Sequence, residues 1–255
     1  MRKRSMSAWG RSALPIISAL TLAVAGLAGA APAQSRTQAE GQINPAAPLA
    51  DKDPETQAAV ADYNAGDFNA ALKEFRDAAE RGNRLAQFNY AMMLLNGEGT
   101  PANVDEGRKW LRKAADANMS HAQYVYGRMY DDGDFVSRDP TEAHRWFIKA
   151  AQQGHIQAEL ALANQFLDGR GTARDYRQAF HWYKKAAEGG DMTAQYVTAS
   201  FYERGGDGVT RNINIARAYY AAAAAQGDPA ARLKFQELSS ELSREAQGQS
   251  KPAQP

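Results

Sequence analysis

The sequence predicts an all-α fold, an α-solenoid of antiparallel helix pairs that repeat every 36 residues. One observation is composition, because alanine is abundant and β-branched residues are sparse, which favours helices. A self-similar period of 20–50 residues is the second, since it indicates a repeat architecture. Three series of residues carry that period: Ala86, Ala122, Ala158, Ala194 and Ala230; Gly97, Gly133, Gly169 and Gly205; and Trp110, Trp146 and Trp182.

The N-terminus has the pattern of an export signal. Residues 1–33 contain a basic start, an apolar run from Leu14 to Ala28, and the small residues Ala31 and Ala33 that a signal peptidase recognises. We therefore predict a signal peptide over residues 1–33 and a periplasmic or secreted protein with no stable membrane span after cleavage. An uncleaved membrane anchor is the alternative, but the apolar run is short and ends in a cleavage pattern.

Charge and cysteine content exclude several classes of function. Removal of residues 1–33 takes away four basic residues and no acidic one, which changes the formal net charge from +1 to −3. A mildly acidic protein is a poor binder of nucleic acid, so no nucleic-acid partner is predicted. The absence of cysteine rules out disulfides, thiolate catalysis and cysteine-bound metals, and it suits the bacterial periplasm.

Order is expected to begin after a leader. Residues 34–52 contain few large apolar side chains, so they cannot offset their ordering entropy and are predicted to be disordered. Asp53 and Pro54 then supply an N-cap and a first-turn proline. Residues 53–82 are predicted to form a pair of helices with a short turn, similar to a tetratricopeptide unit. The two helices are expected at residues 55–65 and 68–81.

Four longer units are predicted over residues 83–227, at about 83–118, 119–154, 155–190 and 191–227. Each has a first helix, a loop that opens with glycine, as expected at a left-handed helix end, and a second helix. The second helices are expected to begin at the capping residues Asn103, Asp139, Asp175 and Asn212. Their bulky pairs are predicted to lie in the core: Trp110/Leu111, Trp146/Phe147, Trp182/Tyr183 and Tyr219/Tyr220.

The C-terminal part is predicted to close the stack. The fourth unit has one extra loop residue and one residue fewer before Ala230, so the 36-residue register is expected to be restored there. Residues 228–245 begin like another first helix but continue with polar residues, as a capping helix requires. Residues 246–255 are short and polar and are predicted to form a disordered tail.

No motif indicates catalysis, and no catalytic, cofactor-binding or metal-binding residue is predicted. The Gly-x-Gly loops follow no strand and precede no GKS or GKT, so they do not indicate a phosphate loop. The run from Asp131 to Asp134 could contact a cation, but it lacks the loop of a calcium hand, and a solvated helix end is preferred. The four histidines do not pair at helical spacing and are expected at solvated or interhelical positions: His121, His144, His155 and His181.

The repeated pattern resembles the Sel-one-like repeat (SLR) family of the tetratricopeptide-like superfamily. The resemblance implies a right-handed superhelix of helix pairs and a role as an adaptor for protein complexes, with bacterial members often exported and tied to envelope signalling or host contact. One cysteine-rich branch is linked to β-lactam binding, which is not inferred here because the chain has no cysteine. Departures from the pattern include Gly107, Phe135 and Ala218-Tyr219. The match is clearest at Ala122-Gln123, Gly133, Ala143, Trp146-Phe147, Ala150-Ala151 and Gly154.

The predicted function is an exported scaffold that binds another protein or a peptide, for example a periplasmic sensor or envelope protein. The first helices would line a concave face that holds this partner. A cell-wall-related enzyme, β-lactamase-like or peptidoglycan-active, is the alternative. The bulky first residue of each predicted binding pair could equally pack on the preceding unit. The predicted pairs lie opposite the core of the first helices: Phe88 and Met92, Tyr124 and Arg128, Leu160 and Asn164, and Tyr196 and Ser200.

Overall fold

The computed structural model of the chain describes residues 53–249. The predicted signal peptide and leader, and the chain from residue 250, lie outside this part. Within it the helices are, in chain order, α1 Pro54–Ala65, α2 Phe68–Glu80, α3 Arg84–Asn96, α4 Val104–Asp116, α5 Ser120–Asp132, α6 Pro140–Gln152, α7 Ile156–Asp168, α8 Tyr176–Glu188, α9 Met192–Arg204, α10 Ile213–Ala225 and α11 Pro229–Gln249.

The predicted all-α helical-repeat fold is confirmed. The helices fall into two compact units, residues 53–117 with α1 to α4 and residues 118–249 with α5 to α11. Inside each unit every helix packs against the next one in the chain. Between residues 53 and 249 we find an isolated bridge from Gly206 to Val209 but no β-strand, and none of the helices is long and apolar enough to cross a membrane.

The core of unit one is built from small residues around two large ones. Ala71, Phe75 and Ala79 of α2 and Met93 of α3 are fully buried and belong to one apolar cluster. The ring of Trp110, on α4, packs against this cluster and lies edge-on to the Tyr90 ring at 5.7 Å. The predicted first pair of helices is confirmed, with bounds that differ by one residue at the start of α1 and the end of α2.

The core of unit two is divided into three successive clusters. The first centres on Phe147 and Leu162, the second on Tyr183 and Phe201, and the third on Tyr220 and Leu238. Each cluster joins a second helix to the first helix that follows it, so burial runs from repeat to repeat without a central core. This arrangement is expected when each repeat contacts only its neighbours.

The predicted starts of the second helices are confirmed by their caps. Side-chain oxygens of four residues accept hydrogen bonds from backbone N–H groups two or three residues ahead, which satisfies donors that the helix leaves unpaired. The capping residues are Asn103, Asp139, Asp175 and Asn212. The first helix α7 is also capped by a side chain, that of His155, which was not predicted as a cap.

Glycines in two of the loops let those loops lie against the second helix of the repeat before them. Gly99 has a φ of 71°, and a Cβ added there would lie 2.3 Å from the carbonyl oxygen of Phe68 at the start of α2. Gly171 has a φ of 74°, and its added Cβ would lie 2.1 Å from the carbonyl oxygen of Pro140 at the start of α6. Both positions therefore require glycine for backbone conformation and for space.

The expectation that the register is restored at Ala230 is wrong. Ala230 is exposed, whereas Ala231 is fully buried and occupies the position that Ala194 has in α9. Asp228 sets this register, because its Oδ1 accepts from Ala231 N at 3.0 Å just as Asp191 Oδ1 accepts from Ala194 N. The extra loop residue therefore shifts α11 by one. The helix also continues to Gln249, beyond the predicted end at residue 245.

Gly171→Ala is expected to destabilise the protein more than Gly190→Ala. Both glycines have positive φ, so both substitutions carry about 1–2 kcal/mol of backbone cost. The Cβ at position 171 also collides with the Pro140 carbonyl, whereas nothing lies within 4 Å of a Cβ at position 190. Urea denaturation followed by circular dichroism measures the difference. Equal losses in the two variants would show that the loop does not need this close approach.

Candidate partner-binding site

The first helices of unit two present one face to the core and the opposite face to solvent. Ala122, Ala158 and Ala194 are fully buried at the same position of α5, α7 and α9. The structure places six predicted residues on the other face, each half-buried: Tyr124, Arg128, Leu160, Asn164, Tyr196 and Ser200. Because these residues hold the same positions in consecutive repeats, they form a row along the unit. We call it the inner row.

Phe88 and Met92 do not share this accessibility. They are only 1% and 4% exposed, which contradicts the expectation of an open surface at these two positions. The helix is enclosed on nearly all sides, since almost every residue of α3 from Ala86 to Leu95 is buried, including the polar residues Gln87 and Asn89. The accessible part of the predicted set is therefore the part in unit two.

The bulky members of the inner row pack within the structure. The Tyr124 ring lies 5.9 Å from the Phe147 ring of α6 and stacks on His155 at 4.7 Å. The Tyr196 ring meets the Tyr220 ring of α10 edge-on at 5.3 Å. These contacts are with the same repeat and the next one, and not with the preceding unit that the packing alternative named. Each ring keeps an accessible side, so packing and partner contact are compatible.

The polar members of the inner row are held by internal hydrogen bonds. Arg128 donates from Nε to Asp132 at 2.8 Å and from Nη1 to the Tyr124 hydroxyl at 3.3 Å. Asn164 accepts from the Tyr183 hydroxyl at 2.5 Å. Burial raises the pKa of Tyr183 to about 12, with a further contribution from Asp168, so this hydroxyl stays a neutral donor. These bonds fix the side chains in defined positions on the surface.

Two further residues extend the inner row onto α11. With the one-residue shift, Leu233 holds the position of Tyr196, and Glu237 holds that of Ser200. Leu233 is 68% exposed, and within residues 53–249 no second helix packs over this position. Neither residue was predicted from the sequence, because the 36-residue period places Ala230 instead of Ala231 at the position of Ala194. The Asp228-Pro229 pair, which resembles the caps before α1 and α6, was the signal that gives the correct alignment.

A buried histidine pair lies beside the inner row. His155 is 1% exposed, so it is not a solvated residue. Its Nδ1 accepts from Ala158 N at 3.3 Å, and its Nε2 lies 3.2 Å from Nδ1 of His121. Burial lowers the pKa of His155 to about 3, helped by the nearby His121, and burial lowers that of His121 to about 4. Both rings are therefore neutral at pH 7, and His155 joins α7 to α5.

Two carboxylates of the acidic run pair with arginine side chains. Asp131 is buried, which contradicts the expectation of a solvated helix end, and its Oδ2 lies 3.2 Å from Nη1 of Arg170. Asp132 pairs with Arg128 on the same helix. Among residues 53–249 no cluster of three histidine or carboxylate side chains could hold a metal ion.

The histidine pair predicts a loss of stability at acid pH. Histidines in the unfolded chain bind protons near pH 6.5, whereas the folded pair stays neutral down to about pH 4 and pH 3. The free energy of unfolding should therefore fall as the pH drops from 7 toward 4. His155→Asn should reduce this fall, because asparagine does not titrate. It should also keep the helix cap, as Asn83 does at α3.

Urea denaturation between pH 4.5 and pH 7.5 measures this effect, with His144→Asn as the control at a histidine that lies outside the pair and bonds to Gln165. The pair is not the source of the acid sensitivity if His155→Asn keeps the full slope of the wild-type protein.

Comparison with known proteins agrees with this geometry. A family model described as the Sel1 repeat matches residues 84–119, 120–155, 156–191 and 193–228. A Sel1 repeat protein from Oxalobacter formigenes is 36% identical, with a TM-score of 0.62, and the match covers 71% of this chain and 74% of that chain. No curated protein matches the chain.

A second solved structure is similar over more of the chain. It is c5321, a protective antigen of uropathogenic Escherichia coli strains that displays an SLR fold. It is 31% identical, with a TM-score of 0.66, over 78% of this chain and 43% of that chain. The four repeats span more than half of the sequence, so the chain belongs to the Sel1 repeat family, whose members typically act as scaffolds for protein interactions.

Proposed function

We propose that the protein is an exported scaffold that binds a partner protein or peptide along the inner row. The observation that carries this proposal is the difference between repeats on that row. The core positions carry alanine in each repeat. The second position of the row, in contrast, is arginine, asparagine, serine and glutamate in successive repeats. A surface that varies on a constant frame can distinguish partners by their contacts.

The row also combines apolar and polar groups in the way that interfaces do. Tyr124, Leu160, Tyr196 and Leu233 supply apolar area, and tyrosine is among the residues enriched at binding hot spots. Fixed polar groups at the second positions supply directional contacts, because their side chains are already ordered by internal bonds. No arrangement in residues 53–249 favours the alternative of a cell-wall-related enzyme.

Site-specific cross-linking in intact cells tests the surface. We expect a photoreactive amino acid at position 128, 164 or 233 to cross-link one common protein. The same amino acid at positions 145 and 181, which are exposed on the second helices α6 and α8, should not. Cross-links to that protein from positions 145 and 181 alone would place the interface on the outer face and contradict the proposal.

A matched pair of substitutions tests the contribution of Leu233. Leu233→Ser should weaken binding of the cross-linked partner about tenfold, because it removes most of the apolar area of one side chain. Its unfolding free energy should change by less than about 0.5 kcal/mol, since the residue is exposed. Ile215→Ser, an exposed apolar residue on α10, is the control and should bind normally. Normal binding by both variants would exclude α11 from the interface.

The export part of the proposal rests on residues 1–33. Mass spectrometry of the protein from its native cells should give a mature chain that begins at Gln34. Leu22→Arg interrupts the apolar run and should leave the full-length protein unprocessed inside the cell. A native protein that keeps residues 1–33 would refute cleavage and favour the membrane-anchor alternative.

A further inference from the structure

The turn between α4 and α5 contains an acceptor pattern for N-linked glycans. Asn118, Met119 and Ser120 match Asn-x-Ser/Thr with a residue other than proline in the middle. Of all the asparagines in the sequence, Asn118 alone stands in this pattern. A match of three residues also arises by chance, so the local structure has to distinguish a site that is used from a coincidence.

Asn118 holds a position that is glycine at the other turns of this kind. Each of those glycines has a positive φ, and Asn118 keeps that conformation with a φ of 62°. Such a backbone is easiest for glycine, and asparagine is among the few other residues that adopt it. This turn therefore carries a side-chain amide where the fold needs no side chain. The glycines at the other turns are Gly82, Gly154, Gly190 and Gly227.

The next residue departs from the other repeats as well. At the starts of α3, α7 and α9 the side chains of Asn83, His155 and Asp191 accept hydrogen bonds from the first turn. Met119 holds this position at α5, and within residues 53–249 its side chain makes no such bond. A helix without this cap is less stable at its first turn, and helix ends fray. The first turn of α5 therefore opens more readily than those of α3, α7 and α9.

The polar groups of the pattern are accessible to an enzyme. Asn118 is exposed, and Ser120 is half-buried in the first turn of α5. Oδ1 of Asn118 accepts from Gln123 Nε2 at 3.1 Å, which holds the amide by its oxygen and leaves its nitrogen as the end that can react. Asp116, two residues before Asn118, is also exposed, and its pair with Arg112 is a weak surface pair. A transferase can therefore reach the amide and a neighbouring carboxylate from solvent.

We propose that Asn118 is a glycosylation site, at which an oligosaccharyltransferase attaches an oligosaccharide from a lipid-linked pyrophosphate donor. A bond forms between Nδ2 of Asn118 and C1 of the first sugar, while the bond between C1 and the pyrophosphate oxygen breaks. Nδ2 loses one proton, and the lipid pyrophosphate leaves with the bonding electrons. Opening of the first turn of α5 frees the Ser120 hydroxyl for recognition. This proposal rests on the export part of the proposed function, because the modification belongs to secreted proteins.

Mass spectrometry of the protein from its native cells tests the site. We expect the tryptic peptide of residues 114–128 to carry the added mass of a chain of sugars. Asn118→Gly, which restores the glycine of the other turns, and Ser120→Ala should both remove this mass. Ser120→Thr is the matched control and should keep it. Met119→Ser adds a helix cap and keeps the pattern, so it should lower the modified fraction several-fold.

Failure of this proposal and failure of export give different results. An unmodified 114–128 peptide in a mature chain that begins at Gln34 would refute the glycosylation site and leave export intact. A chain that keeps residues 1–33 and stays in the cytoplasm would overturn both. Sugars that persist on Ser120→Ala would exclude Asn118 as the acceptor of this pattern, and equal modification of Met119→Ser and the wild-type protein would contradict the opening of α5. None of these results bears on cross-linking at the inner row.

Discussion

Every repeat depends on the close approach of its two helices, which small residues make possible. The contact is tight enough that a Cβ added at Gly127 would lie 2.8 Å from the ring of Phe147. At Gly107 an added Cβ would lie 2.8 Å from Cγ of Leu95. A glycine and a bulky partner thus replace the alanine contacts found at other repeats. Because protein interiors are packed as densely as crystals, a smaller residue on one helix requires a larger residue opposite it on the other.

Repeats also conserve polar contacts, and the exceptions are compensated locally. Gln123 Oε1 accepts from Gln153 Nε2 at 2.7 Å, and Gln195 Oε1 accepts from Gln226 Nε2 at 2.8 Å. In the repeat between these two, Gly189 holds the position of the donating glutamine. Side-chain atoms of Ile156 fill the space, since a Cβ at Gly189 would meet Ile156 Cγ1 at 2.9 Å. The same position is therefore filled by a polar contact in two repeats and by an apolar contact in the repeat between them.

Stability and partner binding can use different helices of each repeat. Lysines cover the indole rings of the second helices, with Nζ of Lys149 lying 3.8 Å from the centre of the Trp146 ring. Such contacts stabilise the outer surface of each repeat and leave the first helices free to vary. The polar positions of the inner row lie where a repeat departs from its neighbours. Differences between repeats are thus the best guide to function in this protein.

The sequence alone determined the fold class, because the 36-residue period, the capping residues and the loop glycines are local signals that act the same way in every repeat. It also determined which face of α5, α7 and α9 is buried, since alanine marks that face each time. The inner-row residues on α5, α7 and α9 were predicted from the same periodicity. Local patterns of this kind are readable from sequence because helix geometry fixes which residues share a face.

Tertiary structure decided what depends on contacts between repeats. The burial of Phe88 and Met92 follows from the surroundings of α3, and periodicity does not show surroundings. The register of α11 was set by the Asp228 cap, so Leu233 joined the inner row only when the helix start was known. His155 became a cap and a link to His121 through contacts 34 residues apart. Such contacts join residues that are distant in the chain, so their energies leave no local pattern to read.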